Sequence, residues 1–579
     1  MSEPDIVKEL DPLFNPKTVA VIGATNNFNK WGFSSFSSAL AGSQTVYPVN
    51  RREEKIIGHT AYKKVTDIPD DIDLSVFVVP APACPAVMED CVEKGVKAAV
   101  IISAGFREVG EEGQKLEDEV LRIARKGGIR FVGPNCMGMW SATSDLRAYM
   151  FPLPSKPGPI AFVSQGGNLG GAVVMSAITR GLGFRRYISC GATADIQMED
   201  YIEYFGQDPG VKVILAYIEG LNDGRRFINK VSEVTKKKPV IVLKPGKEEA
   251  TVKAISAHSG SLAGTAIMHE TAFNKCGVIP ADGPEQMIDI ATGFLTLPLP
   301  NGKNVAIITG GGSYGVICTE ACATHGLDVI ELPQEALDRF DKIFPPRWSH
   351  GNPVDPAGDR NFIGYLKAPT MLLELDEVDS VIFMGFGSLS GFSSMLTSGG
   401  MDSVIPTSMF SNMKGMDKIL DGFTSKLASG EKPDLKSVKP FLSVFGSMLG
   451  SSADDMEEFL ISFTQGMDTS VLADMMSAFP ALMSGDTSQI GDMIEKLDPA
   501  LSGMIAGWMG KYNKPVLTTT FSETETRIMD GVYTYPTAGK VAIVLSKLAW
   551  YKDYTEKHGV TLDKFELCEV LNEKLDKNK

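Results

Sequence analysis

Three times along the chain, a near-continuous apolar run breaks on a glycine-rich turn and passes into a helical pattern: at residues 18–35, 159–180 and 304–325. The openings read TVAVIGATNNFNKWG, GPIAFVSQGGN and NVAIITGGGSYG. A strand that is apolar on both faces must be covered on both faces, which places it in a parallel sheet between helices. A chain that repeats this device is committed to successive doubly wound α/β domains. With 579 residues it exceeds what one core can hold.

Further buried-strand text follows each opening. TVYPVN, LSVFVVP, AAVIIS and IRFVGPN continue the first domain, and FRRYISCG, VKVILAYIEG and KPVIVLKPG the second. The third runs through LDVIEL to VDSVIFMGFGSL, and its strand text resumes only at NKPVLTTTF. Between them, 394–510 has no strand pattern and holds 14 of the 26 methionines. Within it, SADDMEEFLISF spaces Met456, Phe459, Leu460 and Phe463 helically behind a Ser452 cap. The expected layout is a first domain over 1–145, a second over 146–298, a third over 299–393 plus 511–579, and a methionine-rich helical insertion over 394–510.

A net charge of −15 argues against nucleic acid as a partner. Eight cysteines show no CxxC pair or metal-site spacing; Cys318 and Cys322 share a helix face as small buried residues. No metal site is expected. Scattered thiols suit a reducing compartment. The opening MSEPDIVKELDP lacks the apolar core of a signal peptide, and no run reaches the roughly 20 apolar residues of a membrane span. A cytoplasmic protein without a membrane span is expected.

The glycine turns carry the chemistry. After Gly23 no glycine follows until Gly32, which breaks the G-x-G-x-x-G fingerprint of nicotinamide binding, and the second strand runs into Arg51, Arg52 and Lys55. Cations at that crevice suit the extra phosphates of coenzyme A, with NADP as the competing tenant. SQGGN (164–168) and TGGGSYG (309–315) open helices whose free N–H groups and dipole favour an anion. In AISAHSGSLAGT (254–265), His258 stands among small residues that leave its ring approachable. Glu219 ends a strand at the edge where open α/β sheets bind ligands. A carboxylate there could hold one ring nitrogen and leave the other nucleophilic.

With VAVIGAT, YPVN, KGVKAAVIISAGF, GPNCMG, IAFVSQGGNLGGAV, YIEG, KKPVIVLKPG, SAHSGSLAG and GNPVD in fixed order, the chain resembles the α subunit of the nucleoside-diphosphate-forming acyl-CoA synthetases. These are typified by ADP-forming acetate–CoA ligase and, more distantly, by succinyl-CoA synthetase. The resemblance covers roughly 8–390 and 511–555. It implies a Rossmann-like CoA-binding domain followed by two flavodoxin-like domains, and a reversible conversion of acyl-CoA, ADP and phosphate to acid, CoA and ATP. His258 would carry the phosphoryl group and Glu219 would orient it. CoA would be held by Gly23, Thr25, Asn26, Asn50, Arg51, Lys55, Pro80, Ser103, Gly105 and Asn135. Phosphate would be held by Ser164, Gly166, Gly167 and Asn168.

Relatives usually carry SHTGSLAG, SQSGA and TNAGGPG where this chain has SAHSGSLAG, SQGGN and TGGGSYG. No ATP-grasp pattern is read in the chain, so ADP or ATP and its Mg²⁺ would come with a separate β subunit, in an αβ or α2β2 assembly. Two competing classes are a CoA- or acyl-CoA-binding regulatory protein without catalysis and an NADP-dependent oxidoreductase. The presence of both His258 and Glu219 argues against the first, and the broken fingerprint against the second.

Overall fold

The computed structural model describes residues 5–151, 153, 156–246, 248, 251, 266–359, 362–385, 490–519, 527–529 and 531–560, with 439, 442–443, 452, 454 and 457. The chain divides into two compact units, Met1–Ala291 with Tyr554–Val560, and Thr292–Asp553 with Thr561–Lys579.

The first unit holds two sheets. Its chain order is β1 (Thr18–Ile22), β2 (Thr45–Val49), the short hairpin β3 (Lys55–Ile56) and β4 (His59–Thr60), β5 (Leu74–Phe77), β6 (Ala98–Ile101) and β7 (Arg130–Val132). Then come β8 (Gly138–Ser141), β9 (Leu146–Tyr149), β10 (Ile160–Ser164), β11 (Phe184–Ser189), β12 (Val213–Tyr217), β13 (Val240–Leu243) and β14 (Ile279–Ala281). The first sheet is ordered β2-β1-β5-β6-β7 and is parallel throughout. The second is ordered β14-β13-β12-β10-β11-β8-β9, its last two strands an antiparallel hairpin on the edge. The limit expected between 145 and 146 falls inside that hairpin.

The second unit holds β15 (Asn304–Thr309), β16 (Asp328–Val329), β17 (Ser380–Met384), β18 (Val516–Thr519), β19 (Arg527–Met529) and β20 (Val532–Tyr535). They are ordered β16-β15-β17-β18-β20-β19. Counted along the chain, the parallel strands of all three sheets follow one order, 2-1-3-4-5. In each, the first and third strands are neighbours whose connections leave in opposite directions. The crevice beyond their carboxyl ends is the switch point where such sheets take ligands. These points lie at β1/β5, β10/β12 and β15/β17. The α/β fold with parallel sheets is the one read from the sequence.

Within the first unit the two sheets share a core, in which Leu10 and Phe14 join Val19, Val21, Ile188 and Tyr201. The helix Ile6–Phe14, capped by Asp5 on the Val7 N–H (3.1 Å), crosses to the second sheet. There Phe14 stacks on Tyr204 with ring centroids 4.5 Å apart, and the Arg186 guanidinium covers both rings at 4.8 and 5.1 Å. The loop after β7 meets the loop after β11: the Ala192 N–H donates to Pro134 O (2.9 Å) and the Ala194 N–H to Gly133 O (3.0 Å). These contacts bring the carboxyl ends of both sheets to one place.

Most of the insertion, Met456, Phe459, Leu460 and Phe463 included, lies outside the described residues. Its end is a helix, Ile490–Tyr512, whose Trp508 packs on Phe383 of β17 (centroids 6.3 Å apart). That helix crosses the limit expected at 510. Cys318 and Cys322 are both buried on the helix Gly312–Thr324, as their spacing predicts. Among the described residues no helix is long and apolar enough to cross a membrane.

Candidate active site

The switch points of the first two sheets open into one cavity of about 1030 Å³. From the first sheet come Gly23 after β1, Val78 and Val79 after β5, Ser103 after β6 and Asn135 after β7. From the second come Gln165 to Leu169 after β10, Tyr217 at the end of β12 and Glu219 after it.

Close backbone approach shapes the first crevice. Gly23 has φ +97°, and a Cβ there would fall 2.2 Å from Val78 O. Gly32, in the first turn of the helix Trp31–Leu40, would place a Cβ 2.0 Å from Gly23 O. The second glycine, nine positions after the first instead of two, therefore serves helix–strand packing. Asn29, Lys30 and Trp31 between them reach the cavity wall.

Thr25, Asn26 and Asn50 do not reach that wall. The Thr25 hydroxyl donates to Glu53 Oε1 (2.5 Å), and the Asn26 N–H and side-chain amide donate to Glu53 Oε2 (3.0 and 2.6 Å). Asn50 Nδ2 donates to Ala24 O (2.7 Å), and its Oδ1 receives the Arg52 and Glu53 N–H groups. The Thr25 hydroxyl and the Asn26 donors hold the Glu53 carboxyl below its usual range, against partial burial. Glu53 stands where a nicotinamide-binding chain would offer a carboxylate to ribose, but both its oxygens are turned inward to fix the turn. Arg51, Arg52 and Lys55 are exposed, and none of the three lines the cavity. Pro80 is exposed and off the wall; Gly105 is also off it, donating its N–H to Glu108, which does line it.

In the second crevice, β10 ends at Ser164 and the helix Gly167–Thr179 begins behind Gly166. Ser164 is fully buried, and its hydroxyl donates to Gly166 O (2.6 Å), fixing the turn from beneath. Thr309 makes the same bond to Gly311 O in the third sheet (2.9 Å). Gly166, Gly167 and Asn168 form the wall. Main-chain N–H groups in a helix's first turn have no intrahelical partner, so this end favours an anion. A Cβ on Gly166 would fall 2.8 Å from the Tyr217 ring, and one on Gly167 2.4 Å from Met137 Sδ.

Glu219 is 6% exposed and faces this helix end. The Tyr217 hydroxyl donates to its Oε1 (3.3 Å), and burial with the nearby carboxylate pushes the phenol's ionisation up. Gln165 Oε1 receives the N–H groups of Glu219 and Gly220, and its Nε2 donates to Gly220 O (3.0 Å). Lys244 Nζ donates to Glu219 O (2.6 Å) and Pro245 O (3.1 Å). Burial lowers this ammonium to about 8, opposed by Glu219. Gln165, Tyr217 and Lys244 were not singled out in the sequence; their partners lie up to 55 positions away, beyond the reach of local spacing. His258 lies outside the described residues. The cavity wall does include Thr251, seven positions before it.

The Cys136 thiol on the wall is pushed up to about 12 by complete burial, which makes it a poor nucleophile. Among the described residues no group of three His, Cys, Asp or Glu side chains could hold a metal ion. The site offers a cleft for an elongated ligand, a helix N-terminus for an anion, and a buried carboxylate that accepts from Tyr217 on a main chain fixed by Gln165 and Lys244.

Residues 17–141 match the CoA binding domain family, 157–294 the succinyl-CoA ligase like flavodoxin domain and 305–390 the Ligase-CoA domain. The chain is 42% identical over 375 residues to the α subunit of acetate–CoA ligase (ADP-forming) II of Pyrococcus furiosus, covering 64% of this chain and 81% of that protein. It is 34% identical to 4-hydroxybutyrate–CoA ligase (ADP-forming) of Nitrosopumilus maritimus, covering 64% of this chain and 54% of that protein. Among solved structures it resembles the Ca. Korarchaeum cryptofilum acetyl-coenzyme A synthetase 1 in complex with phosphate and ADP. The TM-score is 0.68 at 25% identity, over 96% of this chain and 99% of that one.

Proposed function

The chain belongs to the family of ADP-forming acetate–CoA ligase α subunits, and from that premise we propose that it is the CoA-binding, phosphohistidine-bearing chain of an acid–CoA ligase. One observation carries the reading: the switch points of two sheets share a cavity, with a helix N-terminus and Glu219 on its far side.

CoA lies in the first crevice, its phosphates toward Lys30 and the exposed cations Arg51, Arg52 and Lys55 that follow β2. Inorganic phosphate sits at the N–H groups of the helix Gly167–Thr179. A phosphate oxygen attacks the thioester carbonyl carbon, the C–S bond breaks, and CoA leaves as the thiolate, giving an acyl phosphate. The free ring nitrogen of His258 then attacks phosphorus, and the P–O bond to the acyl group breaks with release of the carboxylate. A nucleoside diphosphate oxygen takes the phosphoryl group from the histidine. Phosphoryl transfer asks the protein for placement and charge stabilisation more than covalent work. The helix end supports the first and second steps, and Glu219 orients the imidazole and stabilises its charge.

Nucleotide and Mg²⁺ are carried by an ATP-grasp β partner, an assignment supported by relatives that are named as subunits. A cytoplasmic setting suits the free thiols, all buried among the described residues.

The test is His258→Asn in the complex with its partner. The variant is expected to lose acid-labile protein phosphate and to slow phosphate-dependent CoA release by on the order of a thousandfold or more. Native turnover by that variant would overturn the reading.

A further inference from the structure

Resting on that reading, we infer that Met137, Met150, Phe151 and Leu169 form the acyl subsite, and that it takes an uncharged, apolar acyl group bulkier than acetyl. If CoA reaches the helix Gly167–Thr179 from the first crevice, its thioester carbon stands beside Gly167 and Asn168. Whatever borders that point on the remaining side holds the acyl substituent. On the side of the hairpin β8–β9 the large apolar side chains lining the cavity are these four, with Ser189 beside Gly167 as their polar neighbour. Met137 lies against Gly167, closely enough that a Cβ on that glycine would meet its sulfur at 2.4 Å. Met150 is joined to Met137 through its N–H on Met137 O (2.8 Å). Phe151 follows, its ring edge-on to buried Tyr149 at 5.2 Å between centroids, and Leu169 comes from the helix itself.

The hairpin β8–β9 explains why they stand there. A doubly wound sheet needs only its five parallel strands, yet two antiparallel strands are added beside β11. Met137 precedes that hairpin, and Met150 and Phe151 follow it, so its open end presents all three to the cavity. They are half-buried, as is Leu169, with apolar surface left for a ligand to cover. Two methionines make such a wall adaptable to different shapes. An acetyl methyl group would cover little of four side chains; a branched aliphatic or aryl group would cover most.

Charge points the same way. Among the described residues the charged side chains lining the cavity are Lys30, Glu108 and Glu219. Lys30 belongs to the first crevice, and the two glutamates would repel a second carboxylate. A dicarboxylic acyl group finds no counter-charge beside Met137.

The experiment measures binding of unreactive S-substituted CoA thioethers to the full chain by calorimetry, without phosphate. The set is CoA itself, S-ethyl-CoA, S-isobutyl-CoA, S-phenethyl-CoA and S-(3-carboxypropyl)-CoA. The isobutyl and phenethyl compounds are expected to bind at least about tenfold more tightly than S-ethyl-CoA, and the carboxylated one more weakly. Phe151→Ala, checked for an unchanged melting profile, is expected to shrink the phenethyl preference severalfold. Met150→Asp tests the same wall and is expected to abolish the apolar preference. Equal binding of all S-substituted compounds, or preference for the carboxylated one, overturns the subsite while leaving the ligase reading intact. Failure to bind CoA and every derivative overturns both.

Discussion

Among the described residues, no carboxylate lies in hydrogen-bond contact with the Lys244 ammonium. Its bonds go to the carbonyls of Glu219 and Pro245, so it ties the end of β12 to the start of the segment that leads to His258. Burial lowers its ionisation from the ordinary lysine range to about 8, and Glu219 opposes that shift. The direction fixes the pH dependence. The side chain is charged below about pH 8 and loses its proton as pH rises through that value, which removes a cation held against the Glu219 main chain. Phosphohistidine formation should fall on an alkaline limb near pH 8. Lys244→Arg keeps its charge to far higher pH, so the limb should move up by more than one pH unit. Measuring protein-bound phosphate from pH 6 to 10 in both proteins checks this, and an unmoved limb would discard the role. None of this was legible in KPVIVLKPG, where Lys244 reads as a strand-ending lysine. Thr25, Asn26 and Asn50 show the converse: they look like ligand donors, and in the fold each bonds to Glu53 or to its own turn. Local sequence shows which groups can donate, but the fold decides to whom.

Between elements, one glutamine couples the first and third strands of the second sheet. Gln165 follows β10 and makes three bonds to the main chain of Glu219 and Gly220 after β12, across 54 and 55 positions. The strands themselves are held in register from Ile160 opposite Val213 to Ser164 opposite Tyr217. Gln165 extends that register past the sheet edge, where ladder bonds have stopped and the site begins. Gln165→Ala strands two buried N–H groups and a carbonyl, each costing about 1–3 kcal/mol when unsatisfied. The expected outcome is local loosening: amide exchange at Glu219 and Gly220 faster by about tenfold to a hundredfold, with exchange in the core of β12 unchanged. Exchange mass spectrometry resolves the two regions, and uniform acceleration would mean general destabilisation. At this scale the sequence was informative about the strands, because period and apolarity are local. The hairpin β8–β9 was not foreseen: GMWS and LRAY are four-residue strands, too short to separate from loop text, and β11, the partner of β8, lies about 50 positions on.

Across the whole molecule, one topology is used three times, and the strand–glycine–helix recurrence announced it. The shared order 2-1-3-4-5 could not be read from the text, since buried strands of similar composition do not reveal their neighbours. Two of the three switch points open on the cavity that holds Glu219, which therefore spans the carboxyl ends of both sheets of the first unit. In the reaction as proposed, every step up to the phosphohistidine uses groups of this chain, whereas discharge uses a nucleotide on its partner. That division predicts a stoichiometry. Mixed with an acyl-CoA and phosphate, the purified chain should release one CoA and one carboxylate per polypeptide, gain one acid-labile phosphate, and stop. Adding ADP and Mg²⁺ should leave the phosphate in place, and adding the partner should discharge it to ATP and start steady turnover. Rapid quench with labelled phosphate follows the burst, and a coupled assay follows ATP. Sustained turnover by the chain alone with ADP would show that nucleotide chemistry resides here, and the division of labour would have to be redrawn. A burst well below one per chain that rises to one with the partner would instead place part of the loading site at the subunit contact.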